Sequence, residues 1–334
     1  MRLFLIRLVY FFGLFWAVNL LLLYVLPYAY GNKLYLDKVQ NCSSKNVNTV
    51  FFGSSRLYRH AAPKIIDSIL KEKNIISYNL ATRGCYNSQT YYLYENFLEN
   101  ETNSKIKYAL VELQPIGQIP STSSNLNESN YFLSLGNYKY YSQYVTNSGK
   151  STSDKKRYIT NATKAGLNRI FSLKKIKYYI QRMSKNSSNR ILDQNGFLSV
   201  SSEKFTGEFK TRFENFLKDT TSLNSRILAA KRSSNNITHY NIAHLKRAKY
   251  LIEKSERLGI ELIFVIPPRL PDYKEIWSVA DRLPQENIID LSSPDLFPEL
   301  YNSKYSFDIG HFNKEGASVF STILAKKLAS RLNN

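Results

Sequence analysis

Thr49-Val50-Phe51-Phe52-Gly53-Ser54-Ser55-Arg56 is the stretch on which the reading of this chain turns. An uninterrupted run of β-formers enters a Gly-Ser-Ser turn, the pattern of a strand buried on both faces and delivering a loop at its carboxyl end. Ala62 to Leu70 follows with helical spacing and Pro63 near its start, and Ile75 to Leu80 reads as a second strand. Tyr91 to Leu98 lies in a second helix, and Tyr108 to Leu113 forms a third strand. Strand and helix alternating at this interval signify a parallel α/β sheet.

The rhythm breaks between residues 115 and 235. Polar stretches at Ser121 to Ser129, Asn147 to Asp154 and Ser184 to Asn189 separate short amphipathic pieces, with no internal repeat. This region is expected to be a mostly helical insertion after the third strand, placed where a lid could form. Alternation resumes with a helix over Thr238 to Leu258, which gathers Ile242, Leu245, Ala248, Tyr250 and Leu251 largely on one side. A fourth strand at Ile260 to Pro268, a helix at Tyr273 to Arg282 and a fifth strand at Asn287 to Leu291 follow. A last helix spans Lys314 to Leu332, with Asn313 as its N-cap. The expected division is 1–30, 31–114, 115–237 and 238–334.

The amino terminus is a different kind of sequence. From Leu8 to Leu26 the one clearly polar side chain is Asn19, and Arg2 and Arg7 precede the run. About 19 helical residues span the roughly 30 Å hydrocarbon layer of a bilayer. No small-x-small cleavage signal closes the run at Pro27-Tyr28-Ala29-Tyr30-Gly31, so an uncleaved anchor is favoured over a removed signal. Arg2 and Arg7 favour an inside amino terminus, although Lys33 and Lys38 follow on the other side. The expected arrangement is a single pass through the cytoplasmic membrane with residues 31–334 outside it. Tyr30 to Lys45 reads as a polar linker.

The net charge is +20, and residues 139–250 supply most of the excess, with 23 Lys and Arg against 6 Asp and Glu. Lys174-Lys175-Ile176-Lys177-Tyr178-Tyr179 has the look of a nucleic-acid groove, but an exported body does not meet nucleic acid. Anionic lipid headgroups or an acidic envelope polymer suit an anchored protein better, and a merely solvated Lys-rich face is the plain alternative. The two cysteines, Cys42 and Cys85, form no Cys-x-x-Cys or Cys/His cluster, so neither a metal nor a cofactor is expected. Whether they pair with each other is left open.

Asp308-Ile309-Gly310-His311 places a carboxylate three residues before an imidazole, ahead of the last helix. Such a pair can act as orienter and general base if a nucleophile stands elsewhere in the fold. Ligands of open parallel sheets bind beyond the carboxyl ends of the strands. Ser55 follows the first strand, Gly84 the second, and the Asp308/His311 loop the fifth. Each also has a plain structural reading: Ser54 and Ser55 as helix caps, Gly84 as a turn glycine, Asp308 and His311 as a loop ion pair and cap. His60, so close after Ser55, is expected to point away from it. Arg56, Arg59 and Arg83 flank the site and are either contacts for an anionic sugar or phosphate or solvated. His239 and His244, five apart, do not share a helix face and are not a metal pair.

These blocks resemble those of the SGNH/GDSL hydrolase superfamily over residues 48–114 and 238–332. Gly53-Ser54-Ser55 is similar to its nucleophile block, Asn79 to Gly84 to its oxyanion-glycine block, and Asp308-Ile309-Gly310-His311 to its Asp-x-x-His block. The resemblance implies a three-layer α/β/α, flavodoxin-like domain with five parallel strands. It also implies Ser55 as nucleophile, His311 as base and Asp308 as its orienter, with backbone N–H groups of Ser55 and Gly84 as oxyanion donors. The family's Gly-x-Asn-Asp block is replaced by Val111-Glu112-Leu113-Gln114-Pro115, leaving Gln114 as the stand-in donor. Loss of that block resembles the membrane-anchored branches, among them envelope O-acyltransferases and the teichoic-acid D-alanine transfer protein. These act on cell-envelope glycans or anionic polymers beside a multispanning membrane O-acyltransferase. The expected function is acyl transfer or ester hydrolysis; the alternatives are an inactive scaffold of a polysaccharide-modification complex and a soluble intracellular esterase.

Overall fold

The structure, a computed structural model, describes residues 1–25, 32–100, 105–117, 119, 131–171, 189–202, 207–231 and 240–332. The polar stretch at 121–129, most of that at 184–189, the run at 174–179 and His239 lie outside them. Five strands, β1 (Thr49–Phe52), β2 (Ser77–Asn79), β3 (Tyr108–Glu112), β4 (Glu261–Ile266) and β5 (Ile288–Asp290), form one all-parallel sheet in the order β2-β1-β3-β4-β5. Every residue of β1 is buried, as its unbroken apolar run requires. The edge strands β2 and β5 are shorter than the apolar runs that contain them, and each pairs with a single neighbour.

The helices described are α1 (Arg2–Val25), α2 (Lys33–Ser43), α3 (Ser55–His60), α4 (Pro63–Ile69), α5 (Asn87–Asn100), α6 (Leu135–Asn147), α7 (Thr152–Phe171), α8 (Asn189–Asp193), α9 (Glu208–Lys218), α10 (Asn224–Ala230), α11 (Ile242–Glu256), α12 (Lys274–Ala280) and α13 (Lys314–Arg331). One group packs α5 on β1 and β3 and α11 on β4, with α6 against both helices; another packs α13 on α3, α4 and β5. Phe52 joins β1 to α5 through Tyr94 and Phe97, with ring centroids 5.1 and 5.4 Å apart. The expected N-cap of the last helix is present: Asn313 accepts the Gly316 N–H at 2.8 Å.

Helix α1 is long and apolar enough to cross a membrane and makes little contact with the rest of the chain. The segment read as a polar linker is instead largely helix. α2 buries Tyr35, Lys38 and Cys42, with Tyr35 OH donating to Leu93 O at 3.0 Å and Lys38 Nζ to Ala81 O at 2.5 Å. Its polarity misled because the lysine ammonium finds a carbonyl and the Tyr58 ring face, 4.1 Å away, inside the fold. α3, which begins at the Ser54 cap, is separate from the helix expected over 62–70; it ends at extended Ala61 and Ala62, where Pro63 bars the preceding residue from helical geometry. Cys42 and Cys85 are both buried thiols, with no disulfide between them.

Candidate active site

Gly53 brings β1 into the turn at a point where a side chain would not fit. A Cβ there would lie 2.5 Å from Glu112 Oε2 and 2.9 Å from Glu112 Cβ. Ser54 caps α3 by accepting the Arg56 N–H, and gives its own N–H to Glu112 Oε2 at 2.6 Å and its Oγ–H to Oε1 at 2.9 Å. A fully buried carboxylate thus fastens the turn from the end of the neighbouring strand. Burial pushes the Glu112 carboxyl up, opposed by Arg56 and by the bonds from Ser54. The cap belongs to Ser54, so Ser55 is free to present its hydroxyl. As the first residue of α3 it also has an N–H without an intrahelical partner.

Ser55 Oγ lies 2.9 Å from His311 Nε2, although the two residues are 256 positions apart. His311 Nδ1 is 3.0 Å from Asp308 Oδ1, and the same oxygen accepts the N–H groups of Gly310 at 2.7 Å and His311 at 2.8 Å. The loop therefore closes around its own carboxylate. Burial would raise Asp308, but the hydrogen bond and charge of His311 and the charge of Arg212 outweigh it and hold the carboxyl at about 2. His311 is lowered by burial and by Arg56 and Arg212, with Asp308 opposing.

Arg212, on α9 of the middle region, was not singled out in the sequence. Its Nη2 donates to Asp308 Oδ2 and stands 3.0 Å from His311 Nδ1. This contact sets two tautomers in competition. With the proton on Nδ1 and donated to Asp308, Nε2 accepts from Ser55, as a base must. A guanidinium can only donate, so a hydrogen bond from Arg212 to Nδ1 would move the proton to Nε2. A cavity of about 500 Å³ borders this corner, lined by Arg212, Asn215, Phe216, Ser222 and Asp308 among others; Ser55 and His311 are not part of its wall.

His60 does not bond Ser55, but neither does it point away from the site. It is fully buried, accepts the Phe312 N–H on Nε2 at 3.1 Å, and stands edge-on to the His311 ring at 6.0 Å between centroids. Arg269, also fully buried, holds the preceding loop by donating to Leu300 O at 2.6 Å, Ser306 Oγ at 2.8 Å and Asn302 O at 3.2 Å. Its backbone is left-handed, with φ 63°, an unusual conformation for a residue with a side chain.

The remaining sequence candidates are placed as follows. The loop after β2 runs beside the turn through Thr82 N–H to Gly53 O at 3.0 Å. Asn79 secures α3, donating to Leu57 O and Ala61 O at 2.8 Å each. Gly84 lies exposed with φ +71°, and among the described residues no hydrogen bond joins it to Ser55. Gln114 is buried and gives its Nε2 to Thr90 Oγ1 at 2.7 Å. Of the three arginines, Arg83 is exposed and Arg59 is buried against Leu198 O and the Tyr58 ring, which leaves Arg56 facing the site. Glu112 had a signal in the sequence, a charge inside an apolar strand; Arg212 had none, being one of many basic residues.

Fold and site together define an α/β protein with an apolar amino-terminal helix and a Ser-His-Asp series beyond the carboxyl ends of parallel strands. The chain belongs to the family described as a protein of unknown function (DUF1574), whose profile matches residues 8–278. The match includes Ser55, Glu112 and Arg212 and ends before Asp308. No curated protein matches the chain.

Proposed function

We propose that this chain is a membrane-anchored serine acyltransferase or esterase of SGNH type, acting on an ester of a cell-envelope glycan or related polymer. In this reading 31–114 and 238–334 make a three-layer, flavodoxin-like body around an insertion at 115–237, and α1 is a single-pass anchor with the body outside the cytoplasmic membrane. The observation that carries it is the continuous series from Ser55 Oγ to His311 Nε2 at 2.9 Å and from His311 Nδ1 to Asp308 Oδ1 at 3.0 Å. The strand order β2-β1-β3-β4-β5 supports it, since its direction reverses beside β1, where a doubly wound sheet opens its ligand crevice.

His311 Nε2 takes the Ser55 hydroxyl proton as Oγ attacks the ester carbonyl carbon. Asp308 steadies the resulting imidazolium. The oxyanion is met by the N–H groups of Ser55 and Gly84, each good donor contributing about 3–4 kcal/mol. Collapse expels the alcohol, which receives the proton from His311 and leaves an acyl group on Ser55. An acceptor hydroxyl or water, deprotonated by His311, then takes the acyl group. Transfer is preferred because the anchor holds the site where a multispanning O-acyltransferase would deliver acyl groups. Fluorophosphonate labelling tests the reading: wild type should label and Ser55→Ala should not.

A second reading, an inactive scaffold of a polysaccharide-modification complex, draws support from two contacts. Gln114 is engaged by Thr90, and Arg212 faces the nitrogen that must keep its proton. It requires that wild type fail to label and that Ser55→Ala complement a deletion strain fully.

A further inference from the structure

Lys38 of α2 is fully buried, and among the described residues no carboxylate pairs with its ammonium group. What it meets instead is the Tyr58 ring face at 4.1 Å and one backbone oxygen, Ala81 O, at 2.5 Å. Burying a charge without a counter-ion is costly, and a Met or Leu would dock the same helix without that penalty. Burial and the charge of Arg59 push the Lys38 pKa well below the ordinary lysine value, with Cys85 opposing, and the amine keeps N–H donors in either charge state.

The acceptor is one end of a clamped peptide unit. A peptide group is planar and trans, so the direction of its C=O fixes the direction of its N–H. The unit joining Ala81 to Thr82 has its oxygen on Lys38 Nζ and its N–H on Gly53 O, at 3.0 Å. Gly53 stands directly ahead of the Ser54 cap and Ser55. The neighbouring groups are fixed too: Leu80 N–H donates to Phe51 O at 2.8 Å, and Ala81 N–H to Asn79 Oδ1 at 3.0 Å. Asn32, the N-cap of α2, gives its Nδ2 to Thr82 Oγ1 at 3.4 Å. A donor on the carbonyl polarises the unit and strengthens the bond that its N–H makes. Were the unit free to rotate, its own oxygen would turn toward Gly53 O, and two oxygens in that place repel.

We propose that Lys38 is a positioning residue for the serine chemistry: by holding the plane of the Ala81–Thr82 peptide, it fixes the loop after β2 against the turn that presents Ser55. It acts through that peptide and touches no reacting atom. This role depends on the serine reading above; the clamp on the peptide is measurable without it. It gives α2, the first helix beyond the apolar one, a share in the geometry of the site, since Lys38 and Asn32 reach the same loop.

The test compares the full chain in neutral detergent as wild type, Lys38→Met and Tyr35→Phe. The first variant keeps the stem and loses the donor; the second removes the α2 bond to Leu93 O and leaves the loop untouched. Saturation kinetics of fluorophosphonate labelling separate probe binding from the step at Ser55. Lys38→Met should lower the maximal labelling rate at least about tenfold with half-saturation within about twofold, while Tyr35→Phe keeps both within about twofold. Hydrogen exchange, followed by mass spectrometry on a peptide covering residues 80–84, should be at least about tenfold faster in Lys38→Met alone. Should Lys38→Met not fold, Lys38→Gln, whose side chain stops short of Ala81 O, takes its place with the same two expectations. An equal loss of labelling in Lys38→Met and Tyr35→Phe would reduce Lys38 to helix docking and overturn the proposal. So would unchanged exchange, or faster exchange with an unchanged labelling rate. Wild type that fails to label, with exchange still faster in Lys38→Met, would remove the serine reading and with it the positioning role, leaving the clamp as a structural contact.

Discussion

Asp308→Asn separates the charge of the loop carboxylate from its shape. The oxygen that accepts the Gly310 and His311 N–H groups can be kept, while the negative charge facing His311 and Arg212 is lost. Asp308 falls from its ordinary 3.8 to about 2 in the folded protein. A depression of that size corresponds to about 2 kcal/mol in favour of the folded state at neutral pH. For an acid whose folded pKa lies below its unfolded one, this contribution is complete above pH 3.8 and disappears as pH falls through about 2. Wild type should therefore exceed Asp308→Asn in unfolding free energy by a pH-dependent part of about 2 kcal/mol at pH 7, shrinking to about 1 at pH 3. Denaturant titrations of both proteins at pH 7, 5, 4 and 3 measure it, and acid effects shared by the two cancel in the difference. A difference that stays constant from pH 7 to 3 would refute the coupling. Under the proposed mechanism the same variant should label with fluorophosphonate about a thousandfold or more slowly, because the base loses the partner that holds its tautomer.

Glu112→Leu leaves the Ser54 N–H and hydroxyl buried without acceptors, each costing about 1–3 kcal/mol, so the denaturant midpoint should fall by the equivalent of about 2–6 kcal/mol; an unchanged midpoint would remove Glu112 from its place as fastener of the turn. Arg212→Gln takes away one of the charges that lower His311, so the His311 pKa should rise and the midpoint of the pH–labelling profile should move to higher pH. A downward move would contradict the contact between the guanidinium and Nδ1.

Sheet class was readable in the sequence because parallel strands buried on both faces leave continuous apolar runs, and β1, β3 and β4 all show them. The last helix was readable for a similarly local reason, an N-cap ahead of an apolar period. Asp308 and His311 were visible as a pair because they share one tight loop, and the carboxylate closing that loop is a short-range interaction. α2 was misread because its buried lysine looks solvated until a carbonyl 43 residues away is brought to it.

Local order along the chain thus determined the strands, the apolar amino-terminal helix and the separate pieces of the site. What only the tertiary structure decided was their meeting. Parallel strands deliver their carboxyl ends to one edge regardless of sequence separation, so Ser55 reaches His311 across 256 residues. The same folding brings Arg212 from the middle region onto a carboxylate whose acceptors are nearly all used. Basic residues in a basic region carry no mark of which one will be aimed inward, because that choice is made by the packing of the helices that bear them.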